Sequence, residues 1–193
     1  MPCFREYTTL EVMGNWYEII ADRDVSEAEA PLVAERMRVW LAERRIIEAV
    51  PTGEFPSKQI HQPGPAYQST LKEPNLYTET VQGLKFVVRR TVFFQIPLKL
   101  TCSACGFRFE AEGESWERWS DAADDWCSGE VDVLYACPGC GVPERLAEWS
   151  GEAPWCFGHL GLEFWDWSPL SEQFIQEVTK QLGHRTVVLR GKL

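Results

Sequence analysis

Histidine is scarce in this chain of 193 residues, and none of His61, His159 and His184 sits in a catalytic signature. The sequence has no HExxH, no GxSxG, no Walker-type GxxxxGK and no dinucleotide glycine fingerprint. Those absences exclude the enzyme classes that declare themselves through a local motif and make a non-catalytic role the leading expectation. Long apolar runs are also missing. No stretch approaches the roughly 20 apolar residues that cross a bilayer, and the opening MPCFREYTTL lacks the apolar core of a signal peptide. The expectation is a soluble, cytoplasmic protein with no membrane contact.

Basic residues are sparse in one half of the chain. Residues 1–99 hold 12 Lys/Arg against 13 Asp/Glu, whereas residues 100–193 hold 7 against 16. Within residues 110–166 there are 14 acids, and only Arg118 and Arg145 oppose them. Such a surface repels phosphate backbones and lacks the counterion-releasing contacts that supply most nucleic-acid affinity. A nucleic-acid partner would need a basic stripe assembled from Arg36, Arg44, Arg45, Arg89 and Arg90. A basic protein partner fits the charge better.

What the sequence does have is cysteine in a metal-binding pattern. Seven is an odd number for a disulfide framework, and four form two hooks, Cys102-Ser-Ala-Cys105-Gly106 and Cys137-Pro-Gly-Cys140-Gly141. Each hook turns two thiolates toward one point, and two hooks complete the four-sulfur shell that Zn²⁺ prefers. Glycine after each second cysteine suits a backbone turning sharply with positive φ. Four protein ligands leave no open position for substrate, so the metal is expected to be structural Zn²⁺. Cys3, Cys127 and Cys156 are left as free thiols.

Along the chain, Asn15–Ile20 reads as a strand. Val33, Met37, Trp40, Leu41 and Arg44 then repeat with helical period, which predicts a helix over about 27–45. Ser26 and Glu29 have capping-box spacing, while Pro31 suits a first turn and moves the start toward Ala30. Ile46–Val50 reads as a short strand. Residues 51–79 are rich in Pro and Gly and read as a long connection, in which His61 and Tyr67 flank a proline-glycine turn. Leu84–Ile96 is the clearest β signal but exceeds a usual strand of about five or six residues, so a bend or break is expected near Arg89-Arg90.

Leu98–Leu100 leads into the first hook and Phe107–Glu110 leaves it. Between the hooks Trp116, Trp119, Ala123 and Trp126 recur at helical spacing, with Glu117, Arg118, Asp121, Asp124 and Asp125 on other faces. Core packing is the ordinary use of such a tryptophan stripe. Val131–Tyr135 enters the second hook, and Pro143–Trp149 leaves it. Residues 98–148 therefore resemble a zinc ribbon, in which two hairpin-borne knuckles grip one zinc, with Cys102, Cys105, Cys137 and Cys140 at the ligand positions. The acidic helical insert departs from a minimal ribbon. Toward the C-terminus Leu160–Trp167 reads as a strand, Ser168–Ser171 as a helix start, Phe174, Ile175, Val178 and Leu182 as the apolar face, Gly183 as its stop and Arg185–Arg190 as a last strand.

The expected fold is α+β: a mixed sheet with an N-terminal helix, an inserted zinc ribbon and a C-terminal β-α-β unit. Its parts would be residues 1–97, 98–150 and 151–193, the last completing the main core. The leading functional expectation is a non-catalytic, zinc-stabilised interaction protein, one form of which is an acidic inhibitor or immunity-type binder. The alternative is an enzyme or small-molecule binder with a pocket near His61, Tyr67 and His159.

Overall fold

The computed structural model describes residues 15–52, 59–74, 81–167 and 169–192. In chain order these form β1 (Trp16–Asp22), α1 (Ala30–Glu43), β2 (Ile60–His61), β3 (Gly83–Phe93), β4 (Lys99–Thr101), β5 (Arg108–Glu110) and α2 (Gly113–Cys127). There follow β6 (Leu134–Ala136), β7 (Pro143–Arg145), β8 (Ser150–Gly151), β9 (Cys156–Trp165), α3 (Glu172–Leu182) and β10 (Thr186–Lys192).

Five strands make the main sheet in the order β10-β1-β9-β3-β2, and every pairing in it is antiparallel. The smaller sheets, β5-β4-β8 and β6-β7, are antiparallel too, so the expected mixed sheet is corrected. The reason lies in β1. Strands β9 and β10, joined through α3, do run in the same direction, but β1 lies between them and pairs antiparallel with both. A β-α-β pattern in sequence predicts direction but not whether a third strand separates the pair.

Strand periodicity divides the main sheet into two buried faces. Ile20, Leu84, Leu160, Leu162 and Phe164 pack under Val33, Met37 and Leu41 of α1 and Phe174, Ile175, Val178 and Leu182 of α3. Tyr17, Ile19, Val87, Phe93, Trp165 and Leu189 fill the other face. Helix α1 begins at Ala30 with Pro31 in its first turn, after a turn in which the Ser26 hydroxyl bonds Glu29. At the far end Arg36 donates to the Leu182 carbonyl at 3.1 Å, satisfying a C-terminal acceptor of α3. The α3 start is capped by Ser171, whose hydroxyl accepts from the Phe174 amide at 3.1 Å. Ser168 lies outside the described residues.

Ile46–Val50 is not a strand; Ile47 makes a single bridge to Pro63. Arg45, with φ 59°, turns the chain out of α1 too abruptly for a ladder to form. The expected connection over 51–79 is described in part and contains β2 and a short 3₁₀ turn at Tyr67–Thr70.

A second core lies beyond the sheet. Trp119, Ala122 and Ala123 of α2 pack with Val92, Leu98, Leu100, Tyr135, Leu146 and Trp149, and the buried Cys102 and Cys137 belong to the same cluster. The tryptophan stripe is therefore interior, with Trp119 wholly buried beside Phe94, Trp116 and Trp155. Strands β3 and β9 connect the two cores, pairing continuously from Gly83↔Trp165 to Phe93↔Cys156 except at one irregularity.

Candidate metal centre

The two hooks fold alike because their sequences impose the same turn. The Gly106 amide donates to the Cys102 carbonyl at 2.9 Å and the Gly141 amide to the Cys137 carbonyl at 2.8 Å. Gly106 and Gly141 sit at φ 72° and 74°, where a side chain would be strained. The first hook joins β4 to β5 and the second joins β6 to β7, so each rides on its own hairpin.

The four sulfur atoms of Cys102, Cys105, Cys137 and Cys140 lie within 4.8 Å of one another. The cross-hook separations are 3.9 Å for Cys102–Cys140 and 3.8 Å for Cys105–Cys137. A tetrahedron with Zn–S bonds of about 2.3 Å has edges of about 3.8 Å, so these thiols are spaced to share one ion. Cys102 and Cys137 are buried, while Cys105 and Cys140 are exposed. At Cys137 burial raises the thiol pKa, but the Cys140 and Gly139 amides, together with the neighbouring Cys102 and Cys140 thiols, more than offset this and bring it down to about 7. The Gly139 amide lies 3.3 Å from that sulfur. At Cys105 the Phe107 amide lowers the pKa, yet burial and the surrounding sulfurs leave it pushed up to about 12. Crowded thiols cannot all ionise alone, and a bound cation removes that conflict.

Glu144, on β7, reaches across to the opposite hook. Its carboxylate accepts from the Ser103 hydroxyl and from the Ser103 and Ala104 amides, the latter at 3.0 Å. These bonds, the Ser103 hydroxyl foremost, hold the carboxyl below its ordinary pKa. Glu144 thus ties one hairpin to the loop carrying two ligands of the other, as outer-shell groups do at metal sites. Sequence reasoning missed it, since an acid three positions past a hook reads as one more surface charge. Comparison with known protein families, curated proteins and solved structures finds no match to this chain, so the site is read from its own chemistry.

The other candidate residues do not converge. His61 is buried on β2, where Nδ1 lies 2.9 Å from the Glu48 carbonyl and the ring meets Phe86 edge-on. Tyr67 packs edge-on against Trp167, whose indole donates to the Thr70 hydroxyl at 3.0 Å. These contacts pin the connection to the start of the α3 region. His159 lines a different place, a cleft of about 840 Å³ that includes neither His61 nor Tyr67. Cys156 is no partner for His159, because it is buried on the other face of β9 and burial pushes its thiol up to about 12. His184 places Nδ1 2.8 Å from the buried Asp22 carboxylate. Cys127 is corrected as a free thiol, since it is disulfide-bonded; Cys3 lies outside the described residues.

Three of the five arginines required for a basic stripe are engaged separately. Arg36 bonds the end of α3, Arg44 pairs with Glu177 at 2.7 Å, and Arg90 lies 4.3 Å above the Trp126 ring while donating to the Glu130 carbonyl. Among the described residues no helix is long and apolar enough to cross a membrane.

Proposed function

We propose that this chain is a non-catalytic interaction protein whose acidic lobe is held in shape by one structural Zn²⁺ and docks a basic protein partner. An inhibitor or immunity-type protein masking a basic toxin is one form of that role. The observation that carries the reading is the outer face of α2. Glu114, Glu117, Asp121 and Asp125 follow one another at helical spacing and are all exposed, while Trp119 and Ala123 fix the opposite face in the core. Only Glu114 in this row has a cationic neighbour, Arg118 at 3.9 Å; among the described residues Glu117, Asp121 and Asp125 have none. Like charges so aligned repel one another by a few tenths of a kcal/mol per pair, a cost that a cationic partner reverses. Four thiolate ligands leave no coordination site for substrate, which assigns the zinc to shape.

The test is affinity capture from native extract with the tagged protein and with a Glu117→Gln/Asp121→Asn/Asp125→Asn variant, zinc being quantified on both. A basic protein held by the native chain, released by salt and lost by the neutralised variant supports the reading. Equal capture by both baits, or no partner with zinc fully loaded, overturns it.

A further inference from the structure

Across the two hooks, each open sulfur of the cluster faces a closed one. Cys140, which is exposed, lies 3.9 Å from the buried Cys102, and Cys105, also exposed, lies 3.8 Å from the buried Cys137. Small residues form the tips that carry the exposed pair. Ala104, Gly106, Gly139 and Gly141 are themselves exposed, which leaves Cys105 and Cys140 open to a small molecule. The remaining free thiol among the described residues, Cys156, is buried in the main sheet.

Metal ligation keeps thiols as thiolates, and the thiolate is the form that oxidants attack. Once oxidised, a sulfur with a second thiolate in reach condenses to a disulfide. Sulfurs 3.8 and 3.9 Å apart need to move roughly 1 Å each to reach the S–S bond length of about 2.05 Å. Glu144 keeps them within that reach, because its carboxylate on β7 binds the Ser103 and Ala104 amides of the opposite hook. The hairpins are thus held face to face by hydrogen bonds as well as by the metal.

We propose that the four-sulfur centre is also an oxidation site for small peroxides, in which the cross-hook pairs close as the disulfides Cys102–Cys140 and Cys105–Cys137. With hydrogen peroxide, Cys140 Sγ attacks one oxygen; the O–O bond breaks, an S–O bond forms and hydroxide leaves. Cys102 Sγ then attacks the oxidised sulfur; the S–O bond breaks, the S–S bond forms and a second hydroxide leaves. Two thiolates have given two electrons, and the peroxide is reduced to two hydroxides. Cys105 and Cys137 repeat the sequence with a second peroxide, after which no thiolate is left to hold Zn²⁺. Both bridges join the β4–β5 hairpin to the β6–β7 hairpin, so they tie the lobe together where the ion did. Bridges within each hook would leave the hairpins unlinked. The site uses none of Glu117, Asp121 and Asp125, so it stands or falls separately from the docking reading.

The test treats the zinc-loaded full chain with hydrogen peroxide and follows released zinc with a chromogenic chelator. After an acid quench, thiols and disulfides are mapped by peptide mass spectrometry. The expected result is loss of about one zinc for every two peroxides consumed, the stoichiometry of four thiolates giving two electrons per pair. The cluster cysteines are recovered as Cys102–Cys140 and Cys105–Cys137, while Cys156 is alkylated as a free thiol after denaturation. Helix α2 keeps more protection from hydrogen exchange in the oxidised chain than in the reduced, chelated chain. Dithiothreitol followed by zinc restores the metal content. The disulfide map is read without reference to zinc, so a failure of metal loading is distinguishable from a failure of this proposal. Bridges within the hooks, sulfinic or sulfonic acid at Cys105 and Cys140, or α2 no better protected after oxidation than after chelation would overturn it. Cluster thiols unchanged by a roughly tenfold excess of peroxide would do the same.

Discussion

Removing the metal should loosen one core and spare the other. Cys102 and Cys137 are members of the cluster built around Trp119 and Trp149, whereas the helices α1 and α3 pack on the main sheet without them. Structural zinc in small peptides is bound with about 10–16 kcal/mol, so a folded lobe in slight excess zinc stays saturated. With free zinc about a thousandfold above Kd, binding adds about 4 kcal/mol to stability. For a lobe of about 60 residues melting as its own unit each kcal/mol is worth about 4–8 °C, giving a fall of about 16–32 °C in the melting temperature of that lobe on chelation. The assay is a thermal melt of native protein, chelator-treated protein and Cys137→Ser, with metal content measured on each and hydrogen exchange followed by segment. The native chain should hold about one zinc, set by the four-sulfur cluster found among the described residues. In the chelated protein and in Cys137→Ser, α2 and β4–β7 should lose protection while β1, α1 and α3 keep theirs. A metal-free chain that melts at the native temperature, or a Cys137→Ser chain that retains stoichiometric zinc, would refute the reasoning. Equal loss of protection in α1 and α2 would refute the separation of the cores.

Trp119→Ala should cost about 3–5 kcal/mol in urea denaturation, since it empties a wholly buried indole site; a loss below about 1 kcal/mol would show that the lobe is not packed around it. Glu144→Ala should weaken zinc binding about 10–100-fold against a competing chelator by freeing the Ser103 and Ala104 amides, and native affinity would deny it an outer-shell role. Gly161→Ala should cost about 1–3 kcal/mol, because a Cβ there would lie 2.5 Å from the Phe93 ring; full stability would mean that the ring moves aside freely. Arg190→Gln removes the cation 2.8 Å from the buried Glu18 carboxylate and should cost about 2 kcal/mol at pH 7. Burial already raises the Glu18 pKa, so the folded state takes up the proton first. The deficit should therefore shrink as pH falls toward the ordinary glutamate value of 4.5, and a pH-independent deficit would refute that assignment.

Where a local rule governs the backbone, the sequence announced the structure. Pro31 placed the start of α1, Gly183 its counterpart at the end of α3, and the paired hooks placed four sulfurs around one point. The length of the Leu84–Ile96 run forecast a discontinuity near Arg89-Arg90, which is where the bulge lies. Its opposite residue could not be read, because register depends on which strand arrives beside β3 after the excursion through α2 and both hooks. The same long-range choice placed β1 between β9 and β10 and made the sheet antiparallel. His61, Tyr67 and His159 were grouped from their chemistry alone, and chain topology sent them to separate surroundings. Glu144 was invisible for a related reason, as its role exists only after two hairpins meet.

Phe93 and Cys156 are direct partners across the β3–β9 ladder, so the chain that leaves the sheet after one returns beside it at the other. In chain order everything between them is the loop of a single hairpin, held to the sheet also by Arg90 over the Trp126 ring and by Val92 and Phe157 against its core. Loop closure grows costlier only as the logarithm of length, so extending a turn of about four residues to one of about sixty costs only about 2–3 kcal/mol. The metal-bearing lobe is thus an insertion in chain order: a short turn joining β3 to β9, with Val92 and Phe157 made polar where the lobe's core packs on them and the Cys127 disulfide given up, should leave a folded five-stranded protein.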